Sequence, residues 1–340
     1  MTPDPAAVRT ATLEAGASGT RRYAVTHRTT YSYDDVVGSS FGRCHLLPRD
    51  LPGQRVLEAA VTVDPEPADR STGTDVFGNA DTYFHVRTPH RRLEVTGRSL
   101  VDVDPIAADL VERGPALDAW ESHRPGRDRH PRSVAFVLDL DPPEITDAVR
   151  DYAAGVLVPG RPLIDVVVDL TARIHADFAY RSGSTAVSTR VATVMQRREG
   201  VCQDFARVAV ACLRSHGLAA RYVSGYLATE PPPGRDRVVG ADASHAWAAV
   251  GTSDGRWIAF DPTNDTLVGE RHVTVAVGRD YDDVPPLRGV IYTEATSSSI
   301  EVSVDVAPQS PTPENRADTR AQAATPGSPH TTTANGRDTV

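Results

Sequence analysis

Short runs of alternating apolar and polar residues fill the chain from Arg22 to Pro105. They read YAVTHRTTYSY, VLEAAVTVDP, DTYFHVRT and RLEVTGRSLVDVDP, and proline, glycine and aspartate turn signals separate them. A period of two is typical of half-buried strands. The pattern predicts a β-sandwich-like domain over residues 21–125, closed by the charged segment HRPGRDRHPRS.

The periodicity becomes helical after this segment. ITDAVRDYAAGVL and LIDVVVDLTARIHADF predict two helices, and the start signal DPPE precedes the first. A third helix is predicted to end at Gly217, with one apolar stripe. The stripe consists of Phe205, Val208, Ala209, Cys212 and Leu213. Strands ARYVSGYL, SHAWAAVG and RWIAFDPT follow, so residues 140–305 are predicted to form an α+β core.

The two ends of the chain have a different composition. Residues 1–20 and 306–340 are rich in alanine, threonine and proline and contain few large apolar side chains. Such segments bury too little surface to offset the entropy of ordering a chain. Both ends are therefore predicted to be disordered.

Two nearby cysteines occupy different places in the helical pattern. Cys212 belongs to the apolar stripe and is expected to be a small buried side chain. Cys202 lies off the stripe in the first helical turn, behind Gly200, where free backbone N–H groups and the helix dipole favour a thiolate. Cys202 is therefore a candidate nucleophile, provided that a base and a group that orients the base lie within reach.

A histidine and an aspartate flank the turn-like segment GTSDGR. Counting outward from Ser253 places His245 and Asp261 directly opposite each other in an antiparallel hairpin, at contact distance. Taken singly, they are also interpretable as a partly buried strand histidine and an aspartate that opens an Asp-Pro turn. Their joint placement favours an imidazole whose second nitrogen is held by a carboxylate.

The same residues carry a resemblance to a known family. The motifs GVCQDFA, ARYVSGYL, DASHAW and FDPTN resemble, in order and spacing, the core motifs of the transglutaminase-like superfamily. YAVTHRTTYSYDDVV, HLLPRD and DVFGN are similar to the N-terminal β region of its bacterial type, and HVTVAVGRDYDDVPPLRG to its C-terminal signature. The resemblance spans roughly residues 20–305.

The resemblance implies a papain-like core, with the nucleophile on a helix and its partners on a sheet. It makes Cys202 the nucleophile, His245 the general base and acid, and Asp261 the orienting carboxylate. Arg207 stands where a histidine often follows this motif, which implies a change at the cleft rim or surface and leaves substrate preference in doubt.

Further residues are candidates for substrate or oxyanion contacts. The Cys202 backbone N–H at the helix start is the first expected oxyanion donor, and Tyr180 or Gln203 is the candidate for a second. Tyr180 is equally interpretable as an aromatic at the edge of the core. Tyr226 and Trp247 are expected to pack the cleft wall rather than to perform chemistry.

Composition narrows the compartment and the partners. The net charge of −9 gives no electrostatic footprint for nucleic acid or an anionic membrane, and it favours a neutral or basic substrate. The expected substrate is a protein or peptide, because the predicted chemistry acts on a carboxamide. A cytoplasmic protein is predicted from three observations. The three cysteines form no paired framework, and the sequence has neither a signal-peptide pattern nor a long apolar run. All 36 basic residues are arginine, so the chain offers no lysine amine.

Three function classes remain open on the sequence. A cysteine triad attacks a carboxamide and leaves a thioester, which water or a second amine resolves. Hydrolysis by a peptidase or amidase is the favoured prediction, a true transglutaminase is the first alternative, and a non-catalytic protein-binding module is the second. No cofactor is predicted, because GRDYDDVPP lacks calcium-loop spacing and the Cys44–His45 pair has no second pair at zinc-finger spacing.

Overall fold

The structure is a computed structural model, and it describes residues 19–105, 114–125, 134–140, 142–229 and 244–309. The two terminal segments that are predicted to be disordered lie mostly outside the described residues. So does the segment 126–133 of the charged loop.

The described residues form four α-helices and fourteen β-strands. The helices are α1 (Asp147–Ala154), α2 (Leu163–Asp177), α3 (Val191–Arg197) and α4 (Cys202–Ser215). The strands are β1 (Arg21–Cys44), β2 (Gln54–Asp64), β3 (Asp69–Thr74), β4 (Ala80–Val86), β5 (His90–Val103), β6 (Ala179–Tyr180), β7 (Glu199–Gly200), β8 (Ala220–Leu227), β9 (Ser244–Gly251), β10 (Trp257–Asp261), β11 (Thr266–Leu267), β12 (His272–Gly278), β13 (Leu287–Thr293) and β14 (Ser298–Gln309). No helix in this part of the chain is long and apolar enough to cross a membrane.

The N-terminal strands form one sheet around the long strand β1. The order is β2-β5-β1-β4-β3, and β13 and β14 also pair with β1. Pairing of β1 with β5 is interrupted between Ser32 and Val37, and β1 then continues alongside β4 and β13. β1 therefore joins all of these strands into one hydrogen-bonded sheet, and side chains from its two parts, such as Val63 and Phe84, share one buried cluster. The predicted β-sandwich-like layering stays a prediction.

The last two described strands return to the N-terminal sheet. β14 runs antiparallel to the first part of β1 and pairs Val306 with Val25, and both side chains are buried. The predicted boundaries assign residues up to 305 to the core and start a disordered tail at 306. They are wrong here, because β13 and β14 belong to the N-terminal sheet and β14 continues to Gln309. Alternation such as IEVSVDV in β14 indicates a strand, but it does not show which distant strand is its partner.

The second sheet carries helix α4 on one face. Its antiparallel strands follow the order β11-β10-β9-β8-β12. The predicted stripe of α4 is confirmed, because all five of its side chains are at most 2% exposed. The helix ends at Ser215, and Gly217 follows with a φ of 80°, a left-handed conformation that favours glycine. The predicted α+β core is thus present.

The N-terminal sheet is joined to the free edge of β12 by two side-chain amides. Gln54 donates to the carbonyl of Thr274 and accepts from its N–H, both at 2.8 Å. Asn79 makes the same pair of bonds with Val277, also at 2.8 Å. A buried backbone N–H or carbonyl without a hydrogen-bond partner costs free energy. The two amides supply the hydrogen bonds that a neighbouring strand would otherwise make with Thr274 and Val277.

This clamp predicts a measurable loss of stability. Asn79→Leu leaves the N–H and carbonyl of Val277 buried without partners, so we expect the free energy of unfolding to fall by about 1–3 kcal/mol in urea denaturation. Ser71→Ala on the exposed strand β3 is the control and should change it by less than about 0.5 kcal/mol. Equal effects of the two substitutions would contradict the clamp.

Candidate active site

Cys202 is the first residue of α4, and local bonds fix this helix start. β7 pairs in parallel with β6, which sets Gly200 beside Tyr180. The buried carboxylate of Asp204 accepts the Val201 N–H at 2.8 Å and a hydroxyl from the segment before α3 at 2.6 Å. A Cβ atom at Gly200 would lie 2.7 Å from the Asp204 carboxylate. Glycine is therefore required at this position.

His245 and Asp261 meet across β9 and β10. His245 Nε2 lies 2.6 Å from Asp261 Oδ2. The predicted register is wrong by two residues, because Phe260 pairs with Ala248, so the two residues lie diagonally rather than directly opposite. A shift of two residues keeps a side chain on the same face of a sheet. The predicted contact therefore forms in spite of the register error.

Asp261 is fully buried and surrounded by hydrogen-bond donors. Its Oδ2 accepts from His245 Nε2 at 2.6 Å, from Asn264 Nδ2 at 2.6 Å and from His272 Nε2 at 3.2 Å. Its Oδ1 accepts the backbone N–H groups of Thr263 at 2.9 Å and Asn264 at 3.3 Å. Such a set compensates the cost of burying a negative charge.

The surroundings favour a charged imidazole. Burial opposes the imidazolium of His245, but the hydrogen bond to Asp261 and the nearby Cys202 sulfur outweigh it and raise the pKa of His245 to about 10. Burial likewise opposes the carboxylate of Asp261, and the bonds from His245 and His272 hold the pKa of Asp261 well below its usual range. Since Asp261 occupies Nε2 of His245, Nδ1 is the nitrogen left for Cys202.

His272 is a member of this cluster that the sequence interpretation missed. It is buried at the first residue of β12. The Gly269 N–H points at His272 Nδ1 over 3.4 Å, so Nε2 carries the proton that is donated to Asp261. Burial lowers the pKa of His272. The sequence feature that could have indicated its burial is its position at the start of the apolar run HVTVAV.

The same cluster has the side chains that a metal would need. Within the described ranges, ligand atoms of His245, Asp261 and His272 lie within 4.8 Å of one another. A nitrogen that donates a proton cannot also bind a metal, and both Nε2 atoms face the Asp261 carboxylate at hydrogen-bonding distance. The donor set therefore fits a hydrogen-bonded cluster better than a metal centre.

Comparison with known proteins identifies the family. The model of the bacterial transglutaminase-like N-terminal region matches residues 23–102, and that of the transglutaminase-like superfamily matches residues 150–262. An uncharacterized protein of Mycobacterium tuberculosis is 58% identical over 300 residues, which cover 87% of this chain and 96% of that protein. One of Mycobacterium leprae is 32% identical over 295 residues, covering 84% and 98%. The chain belongs to the transglutaminase-like superfamily.

A solved structure has the same fold as this transglutaminase-like chain. It is a crystal structure of a protein from Cytophaga hutchinsonii that is provisionally named a cysteine protease. The TM-score is 0.62 at 17% sequence identity, and the match covers 85% of this chain and 99% of that one. At this identity, the likeness shows the fold alone.

Two of the candidate contact residues lie beside the nucleophile. Tyr180 is 58% exposed, and its ring edge packs on Phe205 of α4. Burial and the nearby Cys202 raise the pKa of Tyr180, so its hydroxyl stays protonated and can donate. Gln203 instead directs its amide to the carbonyl of Val187 at 3.0 Å. Tyr180 is thus the better-placed donor.

The two other candidates face away from solvent. Tyr226 is 2% exposed and donates its hydroxyl to the carbonyl of Leu46 in the N-terminal part of the chain. Trp247 is fully buried, 5.3 Å from the ring of His272. Both side chains are therefore packing residues, and their place in the wall of a substrate cleft stays a prediction.

Arg207 was predicted to lie at the cleft rim or at the surface, and its side chain lies at the edge of a cavity rather than free in solvent. Its side chain is 9% exposed and donates to Asp280 at 2.8 and 2.9 Å and to Glu144 at 3.0 Å. It also lines a cavity of about 500 Å³ with Val187 and Tyr281. Arg207 therefore ties α4 to two neighbouring segments beside this cavity.

The environments of the three cysteines predict selective alkylation. Burial raises the pKa of Cys44 and of Cys212 to about 12, whereas Cys202 is partly exposed and lies near His245. Iodoacetamide near neutral pH should therefore label Cys202 well before the other two, as measured by peptide mass mapping. Cys202→Ala should remove the fast phase. Labelling of Cys44 or Cys212 at the same rate would contradict an activated Cys202.

Proposed function

We propose that the protein is a cysteine-dependent enzyme that hydrolyses a peptide, isopeptide or glutaminyl carboxamide. The observation that carries the proposal is the short bond between His245 and Asp261, with the other imidazole nitrogen left for Cys202. A nucleophile, a base and a group that orients the base are the three parts that such chemistry needs. In this proposal they are Cys202, His245 and Asp261.

The proposed reaction has two halves. The Cys202 thiolate attacks the carbonyl carbon, and the imidazolium of His245 gives its proton to the leaving amine as the C–N bond breaks. The product is a thioester on Cys202. Neutral His245 then takes a proton from water, the hydroxyl adds to the thioester, and the acid leaves as the C–S bond breaks. The proton taken from water stays on His245, so the Cys202 thiolate and the His245 imidazolium are restored. Asp261 holds the imidazole in place throughout.

The oxyanion of each tetrahedral intermediate needs hydrogen-bond donors. The backbone N–H of Cys202 has no acceptor within its own helix, because Cys202 is the first residue of α4. The Tyr180 hydroxyl is the second donor in the proposal, since the ring lies beside the start of α4. Donors fixed before the reaction stabilise the developing charge most effectively.

The open surface beside Cys202 favours water as the acceptor. Cys202 is partly exposed and Tyr180 is 58% exposed, so solvent reaches the residue on which the thioester forms. A transferase must protect that thioester from water until an amine arrives. The provisional name of the Cytophaga protein agrees with hydrolysis but describes that protein. A protein or peptide substrate and a cytoplasmic location belong to the proposal as well.

The test measures how the thioester divides between water and amine. Purified protein is given glutaminyl and peptide libraries with a small primary amine in excess, and products are identified by mass spectrometry. Hydrolysed product should dominate at moderate amine concentrations. The chain contains no lysine, so missing self-crosslinks carry no information and the amine must be added. Predominant incorporation of the amine would contradict the proposed hydrolysis and would favour a transglutaminase instead.

Matched variants connect the measured activity to the site. Cys202→Ala should abolish turnover, and His245→Ala should lower kcat by about 10³-fold or more. Asp261→Asn should retain more activity than His245→Ala, because the carboxylate orients and stabilises the imidazole without entering the bonds that change. Full activity of Cys202→Ala would contradict a cysteine mechanism, whereas absence of turnover in the parent protein on all of these substrates would favour a binding module.

A further inference from the structure

We propose that His272 is a positioning residue for Asp261, and that the N-terminal sheet holds His272 in place through Gln54. The proposal rests on the function proposed above for Cys202, His245 and Asp261. It gives the N-terminal sheet a part in catalysis that does not require it to touch the substrate.

The first step of the argument is the bond between His272 and Asp261. Asp261 Oδ2, which holds His245, also accepts Nε2–H of His272 at 3.2 Å. The donor is fixed, because the Gly269 N–H engages the other nitrogen of the ring at 3.4 Å. The imidazole is also packed edge-to-face against Trp247, with 5.3 Å between ring centroids. A carboxylate held from two strands cannot rotate away from His245.

The charges around His272 keep it a neutral donor. Burial is the largest influence on its pKa and lowers it, and the cations His245 and Arg271 act in the same direction. The Asp261 carboxylate opposes them without reversing the shift. Arg271 itself is engaged with the carbonyl of Ala228 at 2.9 and 3.0 Å. His272 therefore donates one hydrogen bond and adds no charge at neutral pH.

The second step is the position of β12. It is an edge strand, so β8 holds it on one side only. Gln54 closes the other side at Thr274, two residues from His272, through two bonds of 2.8 Å. The register with β8 shifts between Thr274 and Ala276. Gln54 acts on the His272 side of this irregularity, whereas Asn79 acts beyond it at Val277.

The experiment uses full-length protein and the rate of Cys202 alkylation by iodoacetamide as a function of pH. At pH 6 an ordinary thiol is almost wholly protonated, so a fast rate reports the thiolate–imidazolium pair without any substrate. His272→Phe, which removes the donor, should slow this rate about tenfold and move the pH at which the rate is half-maximal. His272→Gln, which keeps an N–H donor, should stay within about twofold of the parent protein.

A second pair of variants tests the N-terminal sheet. Gln54→Met and Asn79→Leu each remove one amide clamp from β12, so both should lower the unfolding midpoint in urea. Gln54→Met alone should slow alkylation of Cys202 and shift its pH profile. Equal effects of the two substitutions on alkylation would overturn the role of Gln54, since general loosening of the strand would then explain them.

The outcomes separate this proposal from the function on which it rests. If His272→Phe stays folded by circular dichroism and alkylates like the parent protein, the positioning role of His272 is overturned while the activated cysteine stands. If His272→Gln is as slow as His272→Phe, ring packing rather than the donated bond is responsible, and the proposal also fails. Slow alkylation of the parent protein at pH 6 would instead count against the proposed function itself.

Discussion

The structure depends on one buried charge, the carboxylate of Asp261. Moving an ion of this kind out of water costs several kcal/mol unless hydrogen bonds and an opposite charge replace the lost hydration. Five hydrogen bonds do so, from His245 on β9, His272 on β12 and the turn at Thr263 and Asn264. Three separate segments must therefore hold their relative positions for the carboxylate to remain charged. This requirement connects the sheet to the candidate chemistry.

The nucleophile depends on a different set of contacts. The apolar stripe of α4 fixes the helix on the sheet, and Asp204 with the parallel pair β6–β7 fixes its first turn. The N-terminal sheet then closes the edge of β12 through Gln54 and Asn79. The packing of this helix on the sheet therefore brings Cys202 beside His245, where the two residues influence each other electrostatically.

The sequence predicted the features that local periodicity encodes. The stripe of α4 and the strands around His245 and Asp261 follow from repeats within a few residues. The burial of His272 and Arg207 follows from partners far away in the chain, such as Asp261 and Glu144, which no local pattern reveals. Pairing of β13 and β14 with β1 also joins residues that are far apart in the chain, so local periodicity does not predict it. The two-residue register error left the candidate site unchanged, because sheet faces repeat every second residue.

The protonation of His245 tests the central claim most directly. Nitrogen-15 NMR of histidine-labelled protein, with Asp261→Asn for assignment, can follow both ring nitrogens through a pH titration. The account predicts an imidazolium at pH 7 that persists until the pH rises through about 10, because the raised pKa keeps the charged form below that value. It also predicts that Asp261→Asn makes the ring lose its proton at lower pH. A neutral His245 at pH 7 in the parent protein would contradict the account.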